Sequence, residues 1–327
     1  MRKNHSFFIF LVGFFLVSQL GFGSNTPCIT AKSNTKIRQL YHSLTPSLKS
    51  DISKRAAFMS AYWLNQPYLL GALGEGLNAQ FDSSPLYRTD GFDCETFVTT
   101  VIALTLSTNL ANFQTCINHL RYKKGQIGFI HRHHFTSLDW NIHNQQQGFI
   151  RDITHTIHDP KGQSIAQSAK ATIDKANWYR HLTLASIKLS GASENLKQTR
   201  LNTLKKLGQR FTPKIAQILY IPFTKLFNRQ GQPNYYYFNQ IPNGTIIEII
   251  RPNWNLQKEI GTHLNVSHLG FVFRLGDRLI FREASSIHHK VVDIDFIAYL
   301  QDKLASPTIK GINLQQIQNP EKSAICH

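Results

Sequence analysis

The feature that most constrains the fold is a helix that is apolar on nearly all of its sides. Residues 94–106 read CETFVTTVIALTL. The side chains that follow helical spacing within it are Phe97, Val98, Val101, Ile102 and Thr105. A helix with one apolar stripe can lie on a surface, but a helix that is apolar all round must be covered by other elements. The segment therefore predicts a central buried helix that begins at Cys94.

The elements that could cover this helix change in type along the chain. A helical pattern runs from Lys54 to Trp63, a glycine-rich loop leads up to Cys94, and a lysine-rich helical region spans about 185–227. Short strand-like runs separated by turns include GQIGFI and then, past Pro233, YYYF, TIIEII, VSHLGFVF, LIFREASS and VVDI. Helices first and strands later predict an α+β fold with an antiparallel sheet.

The first 23 residues have the pattern of a secretory signal peptide. Arg2 and Lys3 precede the apolar run FFIFLVGFFLVSQLGFG, which ends in small residues before Ser24. An uncleaved anchor is the alternative, but the apolar run is short for a bilayer span. We expect an exported, periplasmic protein that is not inserted in the membrane after cleavage. Its expected parts are an arm at 24–50, a single domain at 51–320 and a tail at 321–327.

The charge balance is strongly basic. The net charge of +17 would attract an anionic partner such as a nucleic acid, a lipid surface or a wall polymer. Export and the absence of any compact DNA- or RNA-binding motif exclude nucleic acid as the expected partner.

The four cysteines have a sparse spacing that matches neither a disulfide framework nor a metal site. Because export permits disulfides, one hypothesis is that Cys28 and Cys326 tie the two ends of the chain together. Cys94 and Cys116 would then stay reduced, with Cys116 as a core thiol on a helix.

Cys94 itself has two interpretations. An unpaired cysteine is most often a small buried hydrophobe. A thiol at a helix start is also close to unpaired N–H groups and to the positive end of the helix dipole, which stabilise the thiolate. The neighbouring Asp93 and Glu95 would oppose that effect, so a nucleophilic Cys94 needs a basic partner.

A hairpin offers that partner. In VSHLGFVF, alternation places Val266, His268, Gly270 and Val272 on one face of a strand, and the glycine would leave open space over the histidine. Gly276-Asp277 predicts a tight turn that pairs Leu275 with Arg278. That register puts Glu283 diagonal to His268, within reach to orient its imidazole, and Ser285 directly opposite as a second candidate. A water-facing edge histidine and a solvated glutamate remain the alternatives.

Several segments together resemble a known family. YLLGALGEG, PLYRTDGFDCETFV, HRHHFTSLDW, VSHLGFVF and LIFREASS are similar to the N-acetylmuramoyl-L-alanine amidase-like family, formerly a domain-of-unknown-function family, of NlpC-type papain-like cell-wall hydrolases. The resemblance covers about 50–320. It implies a papain-like fold and a cysteine amidase that cleaves the muramoyl–L-alanine bond of peptidoglycan fragments, with anhydro-muropeptides preferred and no metal or cofactor needed.

The resemblance also implies residue roles. Cys94 would be the nucleophile, His268 the base and then the acid, and Glu283 the orienter. Tyr68 would help to hold the oxyanion. The candidate substrate-binding residues are Arg88, Asp90, Arg132, His134, Trp140, Ser267 and Ser285. One departure stands out, because the family commonly has His-Ala-Ser where this chain has Glu283-Ala284-Ser285, so the third catalytic role stays open between Glu283 and Ser285.

Other functions are compatible with the same residues. The chain could be an endopeptidase that cuts between D-glutamate and the diamino acid, a wall-binding protein without turnover, or an acyltransferase that uses the same thioester. A metal site is not expected, because no carboxylate or cysteine stands at ligand spacing from the clustered histidines. These are His131, His133, His134, His143, His155 and His158.

Overall fold

A computed structural model describes residues 26–318 and 324–326. The expected signal peptide and most of the expected tail lie outside these residues. No helix in the described ranges is long and apolar enough to cross a membrane.

The described residues form helices packed on an antiparallel sheet, which confirms the α+β expectation at that level. The helices are α1 (Thr26–His42), α2 (Pro46–Ser50), α3 (Ile52–Ala61), α4 (Cys94–Leu106), α5 (Leu110–Arg121), α6 (Asn141–Gln146), α7 (Lys175–His181), α8 (Glu194–Gly208), α9 (Phe223–Leu226), α10 (Tyr235–Phe238), α11 (Gln257–Ile260) and α12 (Phe296–Gln301). The strands are β1 (Ile150–Asp152), β2 (Gln167–Ile173), β3 (Lys214–Pro222), β4 (Thr245–Leu256), β5 (Thr262–Leu275), β6 (Arg278–Ser285), β7 (Lys290–Asp295) and β8 (Gly311–Ile317).

The strand order within this sheet is β2-β3-β8-β4-β5-β6-β7, with β1 paired to β8. Both sheet faces are covered. One face packs Phe271 and Phe273 against α4, and the other buries Ile249, Val272 and Phe281 in a second cluster. The strands β5 and β6 therefore lie between two apolar layers, which fixes the direction of every side chain along them.

Helix α4 is buried as its pattern predicts. The apolar side chains of that pattern, Phe97, Val98, Val101 and Ile102, are all fully buried. It contacts α3, α5, β5 and β6. Its start is set by Asp93, whose side chain accepts from the Thr96 backbone N–H while the Thr96 hydroxyl accepts from the Asp93 N–H.

Two expected boundaries were wrong. Residues 26–42 are not an arm, because helix α1 buries Ser33, Ile37 and Leu40 along one face. The buried face is narrow and the rest of the segment is polar, so the average composition of the segment does not indicate a core helix. The region 185–227 is only partly helical: α8 is followed by β3, whose alternating burial fits a strand on the edge of a core.

Two expected strands were also wrong. YYYF forms α10, because Asn234 caps it by accepting from the Tyr236 N–H and because Tyr235 and Tyr236 face solvent. GQIGFI forms turns, and the Phe129 N–H donates to the Glu75 carboxylate instead of to a neighbouring strand.

The disulfide pairing was wrong as well. Cys116 of α5 is bonded to Cys326, with a Cα–Cα distance of 4.8 Å, and both residues are fully buried. Cys28 lies on the exposed side of α1, whereas the C-terminal turn at Ala324–Cys326 packs against α5. Cys94 keeps its thiol, as expected.

Replacing Cys326 by alanine should lower the free energy of unfolding by about 2–5 kcal/mol, because the bond closes a long loop and joins two buried groups. Urea unfolding without reductant measures this loss. The matched Cys28→Ala variant should unfold like the parent. Equal stability of the Cys326→Ala variant and the parent would contradict the Cys116–Cys326 bond.

Candidate active site

Cys94 is the first residue of α4 and stays partly exposed at the helix start. The Asp93 carboxylate does not hydrogen-bond the Cys94 sulfur. It accepts instead from the Thr96 N–H at 2.8 Å and from the Gly71 N–H at 2.9 Å. Glu95 accepts from the Thr99 hydroxyl at 2.7 Å, and burial raises the pKa of its carboxyl. The two acids that flank the thiol are thus held by their own hydrogen bonds, and the dipole of a 13-residue helix acts on the sulfur.

His268 on β5 lies beside that sulfur. Its Nε2 forms an ion pair with Glu283 Oε2, and its ring also hydrogen-bonds the Cys94 side chain. The Glu283 side chain is only 4% exposed and that of His268 is 19% exposed. Because Nε2 faces the carboxylate, Nδ1 remains for the sulfur. The structure therefore brings together the three residues that were predicted as a catalytic set.

The charges of His268 and Glu283 stabilise each other. Burial lowers the pKa of His268, but the Glu283 carboxylate and the Cys94 sulfur outweigh it and raise the pKa to about 10. Burial opposes ionisation of Glu283 too, yet the His268 charge keeps the pKa of that carboxyl below its ordinary value. The Glu283 carboxylate, the His268 imidazolium and the Cys94 sulfur thus lie in sequence.

The hairpin register is the predicted one, with Leu275 opposite Arg278 and Phe271 opposite Arg282. It makes Glu283 diagonal to His268. Ser285 is 1% exposed, accepts from the His288 N–H and hydrogen-bonds Glu283. Ser285 therefore supports the carboxylate, and Glu283 is the residue that contacts the imidazole.

Two details of the His268 strand differ from the expectation. A bulge at Ser267 lets Ile249 pair with His268 and Ile250 with Val266, so Val266 turns into the core cluster of α4. The Ser267 hydroxyl donates to the Ile249 carbonyl at 3.4 Å. The space beside Gly270 is also not open, because a Cβ there would lie 2.5 Å from the ring of Phe281.

Tyr68 reaches the site from the loop before α4. Its N–H donates to the His289 carbonyl at 2.9 Å, and its backbone bridges to Phe92, two residues before Cys94. Burial raises the pKa of its hydroxyl, and the nearby charges of Cys94, Asp93 and Glu283 raise it further. Tyr68 is therefore a protonated donor beside the sulfur.

Three of the predicted substrate-binding residues, Arg88, Asp90 and Arg132, take part in ion pairs, and two others, His134 and Trp140, pack against other side chains. Arg88 and Asp90 form an ion pair with each other at 2.6 Å, and Arg132 lies 3.6 Å from Asp82 while its charge acts on Glu95 near the helix start. The prediction for Trp140 was wrong, whereas that for His134, which is half-buried, stays a prediction. The His134 ring packs against Phe129 and Trp178, and Trp140 is 1% exposed and donates to Thr99 behind α4.

Sequence reasoning missed two residues of the site. The Tyr299 ring of α12 lies 6.5 Å from the His268 ring, and burial raises the pKa of its hydroxyl, with the charges of Glu283 and Cys94 adding to the effect. Arg251 of β4 lies next to Tyr299. Neither belongs to a local motif, so only their packing against β5 could have indicated them.

The clustered histidines do not converge on one point. His133 and His143 stack at 4.4 Å, whereas His134 lies in the separate aromatic cluster of Phe129 and Trp178. Within the ranges that the structure describes, no three His, Cys, Asp or Glu residues are placed to hold a metal ion.

Comparisons with known proteins agree with this geometry. A sequence model of the N-acetylmuramoyl-L-alanine amidase-like family matches residues 58–309, which include Cys94, His268 and Glu283. The crystal structure of a Legionella pneumophila protein from a domain family of unknown function is 46% identical, with a TM-score of 0.86, over 90% of this chain and 97% of that one.

A more distant structure has the same fold. The crystal structure of an N-acetylmuramoyl-L-alanine amidase from Bacteroides uniformis is 23% identical, with a TM-score of 0.58, over 82% of this chain and 99% of that one. No curated protein matches the chain.

Proposed function

Because the chain belongs to the N-acetylmuramoyl-L-alanine amidase-like family, we propose that it is a papain-like cysteine hydrolase of the NlpC type. Its substrate is the amide between the lactyl group of muramic acid and L-alanine in peptidoglycan fragments, with anhydro-muramoyl fragments preferred. The observation that carries the proposal is the row of Cys94, His268 and Glu283 at the start of a buried helix.

The geometry supports acyl transfer through a thioester. The Cys94 thiolate attacks the lactyl carbonyl, and the oxyanion accepts hydrogen bonds from the Cys94 N–H and the Tyr68 hydroxyl. The His268 imidazolium then gives its proton to the alanine nitrogen as the C–N bond breaks. The neutral imidazole next takes a proton from water, whose hydroxide attacks the thioester and displaces the thiolate, releasing the lactyl carboxylic acid, which then ionises to solvent.

Glu283 keeps its charge throughout. It holds Nε2, so that Nδ1 faces the sulfur, and it stabilises the imidazolium that exists before attack and again after water is deprotonated. A carboxylate binds an imidazolium more strongly than a neutral group does. This chemistry explains how a glutamate can occupy the place where the family commonly has a histidine.

We also propose that the enzyme is exported and acts in the periplasm. The net charge of +17 suits a substrate that carries free carboxylates and a wall that is anionic. Fusion of residues 1–23 to a reporter that is active only after export tests this part of the proposal.

The test of the reaction is to incubate the protein with defined muropeptides and to weigh the products. Release of an intact stem peptide that begins with L-alanine is the expected result. A dipeptide left on the sugar would instead identify an endopeptidase. Capture of the acyl group by added amines in place of water would identify an acyltransferase, and unchanged muropeptides would identify a binding protein.

A further inference from the structure

A buried arginine lies near the candidate base. Ile249 of β4 pairs directly with His268, so their side chains share a face. Arg251 lies two residues beyond Ile249, where the regular pairing of β4 with β5 is interrupted until Trp254. Tyr299, whose ring lies 6.5 Å from that of His268, also lies close to the Arg251 guanidinium. Arg251 therefore lies next to the site, on the His268 side.

Arg251 lacks the partner that a buried cation needs. It is 8% exposed, and its Nε has no hydrogen-bond partner among the described residues. Its guanidinium stacks over Trp254 at 4.1 Å, which holds the plane of the group but supplies no countercharge. Burial lowers its pKa. A guanidinium placed in this way is costly for the free protein unless an anion completes it.

Arg282 of the same sheet is a buried arginine that has its countercharge within the chain. It is 6% exposed, but its Nε and Nη2 both donate to Asp293 at 2.6 Å, and its Nη1 donates to the Ala57 carbonyl. The described residues form no ion pair of this kind with Arg251. The contrast indicates that the anion for Arg251 comes from outside the chain.

We propose that Arg251 binds a carboxylate of the leaving peptide. This inference rests on the proposed amidase reaction, in which His268 protonates the departing alanine nitrogen, so the peptide beyond that nitrogen must extend along the His268 side. The residue that follows L-alanine is D-glutamate, whose α-carboxylate is free. A guanidinium whose plane is held by an aromatic ring presents its remaining N–H groups as a fork that fits one carboxylate.

The experiment compares two muropeptides that differ only in whether this α-carboxylate is free or amidated. The parent enzyme should lose about 30-fold in kcat/KM on the amidated substrate, since a hydrogen-bonded charge is replaced by a neutral group. The Arg251→Gln variant should lose about the same factor on the free carboxylate, mainly in KM, and should not distinguish the two substrates. Arg251→Lys should recover part of the preference.

Stability measurements separate binding from a structural role. Arg251→Gln should leave the thermal midpoint unchanged or higher, whereas Arg282→Gln should lower it. Arg151→Gln, at an exposed position, is the neutral control for kinetics. Equal losses on both substrates in Arg251→Gln, or equal cleavage of both by the parent, would overturn the proposal.

Failure of the amidase reaction would be visible separately, as no cleavage of either muropeptide. In that case calorimetry with the free stem peptide and its amidated form measures whether Arg251 binds the carboxylate. Tighter binding of the carboxylate form by the parent, lost in Arg251→Gln, would support the site, and equal binding would refute it.

Discussion

Replacing Cys94 by alanine is expected to lower kcat for muropeptide hydrolysis by about 10⁴-fold or more, because the thioester cannot form without the sulfur. The side chain is small and partly exposed at the helix start, so the fold should survive. Binding of the substrate should persist, since the groups around the sulfur are unchanged. Mass spectrometry of the products and calorimetry with intact muropeptide measure the two effects.

Two further variants sharpen this test. Cys94→Ser should be nearly as inactive as alanine, because a hydroxyl does not ionise beside the imidazolium as a thiol does. Cys28→Ala, at the exposed cysteine, should keep full activity. Residual hydrolysis above about a tenth of the parent rate in Cys94→Ala would refute the mechanism.

Replacing Glu283 by glutamine is expected to lower kcat/KM by about 10²–10⁴-fold, since the amide no longer stabilises the imidazolium or fixes its orientation. The substitution keeps the shape of a side chain that is 4% exposed. Ser285→Ala should cost less than about tenfold, because Ser285 acts only through Glu283. Glu259→Gln, at an exposed glutamate of α11, is the neutral control.

The Glu283→Gln variant should also shift the pH dependence of kcat/KM. Glu283 is the first of the groups that raise the pKa of His268 to about 10, and burial acts in the opposite direction. Its loss should bring the pKa of His268 back toward or below 6.5, so the basic limb of the kcat/KM profile should shift to lower pH. If the profile kept its basic limb while the rate fell, Glu283 would not hold the imidazolium.

The free energy of unfolding should also depend on the ionisation of the His268–Glu283 pair. Because the pKa of His268 is higher in the folded protein than its unfolded value of about 6.5, the pair stabilises the fold fully below that pH. That stabilisation is lost as pH rises through about 10. The free energy of unfolding of the parent should therefore decline between these two pH values, and the decline should be smaller in Glu283→Gln. Urea unfolding at several pH values measures both.

The features that the sequence predicted correctly are local. The apolar run after Cys94 indicated a buried helix because its pattern has no polar face. The Gly276-Asp277 turn set the hairpin register, which carried Glu283 to His268 without any knowledge of the rest of the fold.

The features that the sequence did not predict depend on distant contacts. Whether YYYF became a strand depended on a neighbour with which to pair, and the partner of Cys326 depended on which helix its terminal turn packs against. Trp140 was predicted to bind substrate, but its indole lies behind α4. Periodicity and spacing carry no information on such neighbours.

By itself, the sequence determined where the thiol, the imidazole and the carboxylate stand on their own elements, because capping, alternation and turn geometry act over a few residues. Only the tertiary structure decided that Cys94 meets His268, that Ser285 supports Glu283, and that Tyr299 and Arg251 border the same site. Those contacts join elements that are far apart in the chain, and they depend on how α4, α12 and β4 pack around β5, which is set by the burial of both faces of the sheet.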